Sequence, residues 1–136
     1  MSDWNTNVIE EFRANHGKVG GVFVGAPLLL LTTTGAKTGA VRVSPLMYLP
    51  LDDDRVAIFA SKGGAPTHPD WFHNVNANPQ VTVEVGDETY RAVATEVTGD
   101  ERDDLYARQA ERYPQFAGYQ ADNPRLIPVV VLERVD

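Results

Sequence analysis

Most of this chain alternates hydrophobic and polar positions with the period of two that marks half-buried strands. A four-leucine run at Leu28–Leu31 passes through Thr32, Thr33 and Thr34 into the turn Gly35-Ala36-Lys37-Thr38-Gly39. The chain emerges as alternating Val41-Arg42-Val43-Ser44 and continues to Leu51, so this stretch reads as a hairpin. Arg55 to Ala60 is a third strand, with Val56, Ile58 and Ala60 on one face. Val81, Val83 and Val85 lead to a Gly86-Asp87 turn, and Thr89 to Val97 returns as a second hairpin. Arg125 to Val135 is a last strand, in which Pro128 implies an edge or a bulge.

A helical period is confined to a few stretches. Asp3 to His16 places Trp4, Val8 and Phe12 at i, i+4 and i+8, with Gly17 as a stop and a glycine-rich lead from Gly20 to Pro27 behind it. Thr67-His68-Pro69-Asp70 opens a helix, with Thr67 or His68 at the cap and Pro69 at its first position, and this helix ends before Asn78-Pro79. Thr98 or Asp100 starts another that runs to about Arg112. Tyr113, Phe116 and Tyr119 then line one side of a helical turn. About six strands and three to four helices, with hairpins dominating and no repeating βαβ unit, predict a mainly β (α+β) fold. The expected form is an antiparallel barrel with flanking helices, not a Rossmann sheet.

Composition narrows the reading. The 136 residues suit one domain, 1–136, whose first twenty residues are a helix and its lead-in. There is no cysteine, hence no disulfide framework. The start is polar and acidic, and the apolar run Ala26–Leu31 is too short to span a bilayer, so a soluble, cytoplasmic protein is expected. Glu10 and Glu11 argue against a membrane-surface helix, although a peripheral contact with the inner face of the membrane stays open. A net charge of −7 argues against nucleic acid as a partner. No metal is expected: Asp52-Asp53-Asp54 reads as a solvated turn, and His68 and His73 fall on different helical faces.

The distribution of charge says more than its sum. From Phe12 to Leu51 there is no Asp or Glu, but Arg13, Lys18, Lys37 and Arg42 are present. Within this window Gly35 and Gly39 allow backbone amides to converge around Lys37 and Thr38, which is the chemistry of a phosphate cradle. The competing reading is an ordinary solvated hairpin turn. It is not a Walker A loop, because the required glycine spacing and following helix are missing. Ser61-Lys62-Gly63-Gly64-Ala65 forms a second glycine-rich strand end, just before a helix N-terminus. No nucleophile–base pair is evident.

Four blocks, LLLLTTTGAKTGAVRVSPL, FASKGG, PDWFHNVNANPQVTVEV and RYPQFAGYQ with IPVVVLE, together resemble the deazaflavin-dependent nitroreductases over Pro27–Glu133. These are split β-barrel oxidoreductases that use the deazaflavin coenzyme F420. The resemblance implies that Ala36, Lys37, Thr38 and Arg42 hold the coenzyme's phosphate and acidic tail, and that Val43, Ser44, Pro45, Leu46 and Met47 continue along it. Phe59, Ala60, Ser61 and Lys62 would border the ring. Asp70, Trp71, Phe72, His73 and Asn74, chiefly Trp71 and Asn74, would close its other side. Tyr113, Phe116 and Tyr119 would line the substrate pocket. The implied reaction is hydride transfer from the reduced coenzyme to a quinone or nitro compound. Lys62 or Ser61 are the candidates to stabilise charge on the acceptor. Some family members carry tyrosine where this chain has Phe116, and loss of that hydroxyl favours quinone over nitro substrates. An FMN enzyme on the same barrel, a non-catalytic carrier of the deazaflavin or a lipophilic ligand, and a structural domain are the alternatives. A homodimer is compatible with the fold.

Overall fold

The computed structural model describes residues 3–16, 28–61, 65 and 67–135, with the side chains of residues 3–5 excepted. Gly17, Lys18, the Gly20–Pro27 lead, Lys62, Gly63 and Gly64 lie outside the described residues, as does the Trp4 side chain. The elements in chain order are α1 (Asp3–Ala14), β1 (Leu28–Thr34), β2 (Val41–Pro50), β3 (Arg55–Phe59), α2 (Asp70–Ala77), β4 (Gln80–Val85), β5 (Glu88–Val97), α3 (Gly99–Arg112), α4 (Gln115–Ala121) and β6 (Val129–Arg134). The strands form a closed barrel in the order β1-β2-β3-β6-β5-β4, and every pairing is antiparallel.

The leucine run is continuous because β1 is buried on both faces. Leu29 and Leu31 point into the barrel, where they meet Val56, Ile58, Val83, Ala92, Val130 and Leu132. Leu28 and Leu30 point outward, where Val8 and Phe12 of α1 cover them. Adjacent strand residues project to opposite faces, so a strand covered twice cannot alternate. The same holds for β3 and β6. Val56 and Ile58 face in with Val130 and Leu132, while Ala57, Phe59, Val129 and Val131 face out beneath α3 and α4. Trp71, Phe72 and Val75 of α2 belong to the interior cluster. A six-stranded barrel leaves room for side chains but not for a channel.

Several boundaries differ from the sequence expectation for identifiable reasons. His16 takes a left-handed conformation after α1, at φ 58°, and the expected stop at Gly17 lies outside the described residues. Its Nδ1 lies 2.6 Å from Asp87 Oδ1, and Arg13 grips Glu84 through both carboxylate oxygens at 3.1 and 2.8 Å. Arg13 is therefore an ion-pair partner of β4, not part of an open basic window. Pro69 is the cap of α2 and not its first residue, and no side chain caps this end. Thr98 precedes α3 without a capping side-chain bond. Pro128 marks neither an edge nor a bulge. It stands just before β6 and its carbonyl accepts the Ala60 N–H at 3.0 Å, so a residue without an N–H costs no ladder bond there.

The segment leading into β6 is held by a polar network under α3. Arg102, buried, donates from Nε and Nη2 to the Ile127 carbonyl at 3.0 and 2.9 Å, and from Nη2 to Gln120 Oε1 at 2.5 Å. Gln120 in turn accepts the Ile127 N–H at 2.9 Å and donates to the Arg125 carbonyl at 2.8 Å. One polar side chain stands outside such networks. Gln109 is 0 % exposed, and neither its Nε2 nor its Oε1 has a partner. An amide buried without partners costs about 1–3 kcal/mol. Gln109→Leu should therefore stabilise the fold by about 1 kcal/mol, read as a higher urea midpoint with an unchanged m-value. A loss of stability of that size would instead mean that the amide is satisfied by internal water.

Candidate functional site

The turn between β1 and β2 is built from backbone bonds and one distant side chain. The Gly35 N–H donates to the Ala40 carbonyl at 2.7 Å, and the Gly39 N–H to the Gly35 carbonyl at 3.0 Å. Gly39 sits at φ 74°, where a side chain would be strained, and a Cβ on Gly35 would lie 3.1 Å from the Ala40 carbonyl oxygen. Thr38 Oγ1 accepts the Ala40 N–H at 3.2 Å. From α2, Asn74 Oδ1 accepts the Ala36 N–H at 3.0 Å while its Nδ2 donates to Thr33 Oγ1 at 3.2 Å. Asn74 is 7 % exposed, so this amide is a buried brace between α2 and the turn.

The turn thereby presents uncommitted donors. The amides of Lys37 and Thr38 have no acceptor among the described residues, and the exposed Lys37 and Arg42 side chains have no carboxylate partner there. Arg42 stands opposite Thr33 in the hairpin register. Cations and amides left free on one rigid turn suit an anion. This donor set fits the phosphate and acidic tail of the expected coenzyme.

Arg125 fixes the second expected wall, at the end of β3. Its guanidinium donates to the carbonyls of Ala60, Ser61 and Ala65 and to His68 Nδ1, all within 2.9–3.1 Å. Sequence reasoning missed this residue, and its only signal was a polar arginine just before an apolar strand. Arginine always donates, so Nδ1 of His68 must accept and the ring proton lies on Nε2. His68 and His73 are not kept apart as expected: their ring centroids are 5.9 Å from each other. His68 precedes α2, so helical spacing does not govern the pair. Among the described residues no group of three His, Cys, Asp or Glu side chains could hold a metal ion.

The α2 residues expected against the ring divide by direction. Trp71, Phe72 and Asn74 are buried, while Asp70 and His73 are exposed. The aromatic trio is brought together. The Phe116 ring meets Tyr119 at 5.2 Å and Phe59 at 5.8 Å between centroids, and Tyr113 packs on the same cluster. Tyr106, also missed, donates from its hydroxyl to the Phe116 carbonyl at 2.7 Å. Burial pushes its pKa up to about 12, against the nearby Arg102 guanidinium 4.6 Å from its ring centre. Val43, Ser44, Pro45, Leu46 and Met47 are half-buried along β2, between the turn and this cluster. A separate groove of about 560 Å³ lies on the other side of β1, lined by Thr32, Thr34, Val41, Thr82, Arg91 and Val135 among others; none of the expected site residues lines it.

The model of the F420H2-dependent quinone reductase family matches residues 4–134. The chain belongs to that family. An F420H2-dependent quinone reductase of Mycobacterium tuberculosis (strain H37Rv) is 42 % identical over 129 residues, 90 % of this chain and 85 % of the relative. A solved F420-H2 dependent reductase, FDR-A, superposes with a TM-score of 0.72 at 45 % identity, covering 79 % of this chain and 94 % of its own. A solved domain-swapped dimer gives a TM-score of 0.73 at 42 % identity, covering 96 % and 98 %. As a family member the protein is an oxidoreductase on a split barrel, and its coenzyme is F420. No described helix is long and apolar enough to cross a membrane.

The His68 contact makes a pH prediction. Burial, Arg125 and His73 lower the His68 pKa below 6.5, with Glu96 acting weakly the other way. The unfolded chain then binds the proton more readily than the folded one, so stability falls as pH drops below 6.5. Unfolding midpoints measured between pH 7 and pH 5 should decline, and His68→Gln should flatten that decline. An identical slope in the variant would show that His68 does not carry it.

Proposed function

We propose that the protein reduces a quinone with F420H2, using the β1–β2 turn to hold the coenzyme's anionic tail and the end of β3 to border its ring. The observation that carries this reading is the pair of exposed cations, Lys37 and Arg42, without a carboxylate partner among the described residues, on a turn braced from beneath by Asn74. The bound coenzyme supplies a hydride from C5 of its reduced deazaflavin. The chain's own residues bind, orient and exclude water. Lys37, Arg42 and the free turn amides hold the tail. Val43 to Met47 carry the contact along β2, and Phe59, Ala60 and Ser61 with Lys62 border the ring. Asp70 to Asn74 of α2, chiefly Trp71 and Asn74, close the ring's other side, with Asp70 and His73 the exposed side chains among them. Tyr113, Phe116 and Tyr119 form the acceptor's apolar wall. The quinone takes up the hydride and one proton to become the hydroquinone, and Ser61 or Lys62 stabilise the charge that develops on its oxygen. A homodimer belongs to the same reading, supported by the related domain-swapped dimer.

The test mixes the protein with F420H2 and a simple quinone and follows the returning oxidised chromophore, with reduced FMN and NADPH in parallel. Oxidation of F420H2 alone is expected. Lys37→Ala should raise the coenzyme Kd about tenfold or more, the loss of one charge-assisted hydrogen bond. Turnover with FMN alone would overturn the coenzyme assignment, and an unchanged Kd in the variant would remove the turn from the site.

Phe116 favours quinones over nitro compounds in this reading because its ring offers no donor. Phe116→Tyr should therefore increase the nitroimidazole reduction rate relative to the quinone rate. No increase would sink the proposed basis of acceptor preference.

A further inference from the structure

We propose that Arg125 is a positioning residue for the reaction, setting the strand-end backbone against which the coenzyme ring and acceptor meet. This rests on the functional reading above. Each guanidinium N–H has an acceptor: Nε donates to the Ala65 carbonyl at 3.1 Å, Nη1 to the Ala60 carbonyl at 3.0 Å and His68 Nδ1 at 2.9 Å, and Nη2 to the Ser61 and Ala65 carbonyls at 3.0 Å each. Asn123 adds a bond from Nδ2 to the Ala65 carbonyl at 2.9 Å, and its Oδ1 accepts the Arg125 N–H at 3.3 Å.

The direction of these bonds distinguishes Arg125 from Arg102. Arg102 binds Ile127 and Gln120, within its own side of the fold. Arg125 reaches across to a segment some sixty residues earlier and holds the carbonyls of Ala60, Ser61 and Ala65. A planar fork with fixed donor directions sets the relative placement of several carbonyls at once, which a lysine's single ammonium cannot do. The Ala60 N–H is meanwhile held by the Pro128 carbonyl, so Ala60 is fixed through both its peptide groups. Ala60 and Ser61 are the residues assigned to the ring edge. A displacement of about 1 Å at such a wall is enough to cost about a hundredfold in rate. Tail binding, which depends on Lys37 and Arg42 at the other turn, does not pass through this clamp.

The proposal therefore predicts a split between binding and rate. Arg125→Lys keeps the positive charge and loses the geometry. With F420H2 and a simple quinone, it should lower kcat at least tenfold while the coenzyme Kd changes less than threefold, the reverse of Lys37→Ala. In the coenzyme-free protein, amide hydrogen exchange at Ala60 and Ser61 should become at least tenfold faster. A folded Arg125→Lys variant with unchanged kcat and unchanged exchange would overturn the proposal. If that variant does not fold, His68→Ala decides: removing one acceptor from the clamp should lower kcat several-fold at constant Kd, and unchanged kcat would overturn it. Absence of F420H2 oxidation by the wild-type protein would instead overturn the functional reading. The exchange measurement, which needs no coenzyme, distinguishes that outcome from failure of the clamp.

Discussion

Closure of the barrel by its last strand is the constraint on which everything else depends. β6 pairs with β3 on one side and β5 on the other, so without it the sheet has two open edges and no interior. An open edge exposes a row of unpaired backbone groups, and closure removes them. The chain must therefore deliver β6 into a slot between two strands that precede it by many residues. The connection into that slot, from Tyr113 to Pro128, is where the buried polar chemistry gathers. Arg102, Gln120, Tyr106 and Arg125 each bind a backbone carbonyl of this connection or of the strand end it packs against. Charged side chains are seldom buried unless they replace the water they lose. Here carbonyls that would have lost water on closure take its place.

The same physics sorts several of the described cations into three groups. Arg102 and Arg125 are inside or half inside, bound mainly to carbonyls, with Asp103 also meeting Arg102 and His68 Nδ1 meeting Arg125. Arg13, Arg55 and Arg134 are tied to Glu84, Asp52 and Glu88 at the surface. Lys37 and Arg42 stand apart, exposed at the β1–β2 turn with no such partner among the described residues. In a chain of net charge −7, free cations on a rigid turn create a local positive field within an otherwise negative one. Such a field favours an anion.

Much of this was legible in the sequence because its signals are local. The β1–β2 and β4–β5 hairpins follow from alternation and glycine turns, and the strand and helix inventory follows with them. What was hidden depends on contacts distant in sequence. Arg13 reads as part of a basic window until β4 brings Glu84 against it. Asn74 reads as a ring contact, and the sequence does not show that the fold also ties it to Ala36 and Thr33, 38 and 41 residues away. Trp71 and Phe72 have the composition of a ligand wall, and their packing in the interior cluster was not legible. His68 and His73 were separated by applying a helical period to a residue that precedes the helix. In each case the residue type was informative and its partner was not.

The buried brace at Asn74 also explains why the turn can combine rigidity with free donors. A glycine-rich turn left alone would lose much conformational freedom on binding an anion, and that entropy would weaken the complex. Here the carbonyls of Ala40 and Gly35, the Asn74 amide and the Thr38 hydroxyl consume the donors of Gly35, Gly39, Ala36 and Ala40. The amides of Lys37 and Thr38 are left over, at the tip, between fixed neighbours. The ordering cost is met in folding, in part by the Asn74 side chain. The arrangement at β3 follows the same logic with the roles exchanged: there an arginine holds carbonyls, so that a strand end rather than a turn is fixed. A barrel whose interior is filled can take a ligand only on its surface. It must then build each wall of the site from a segment at a strand end, and each such segment needs its own brace from another part of the chain.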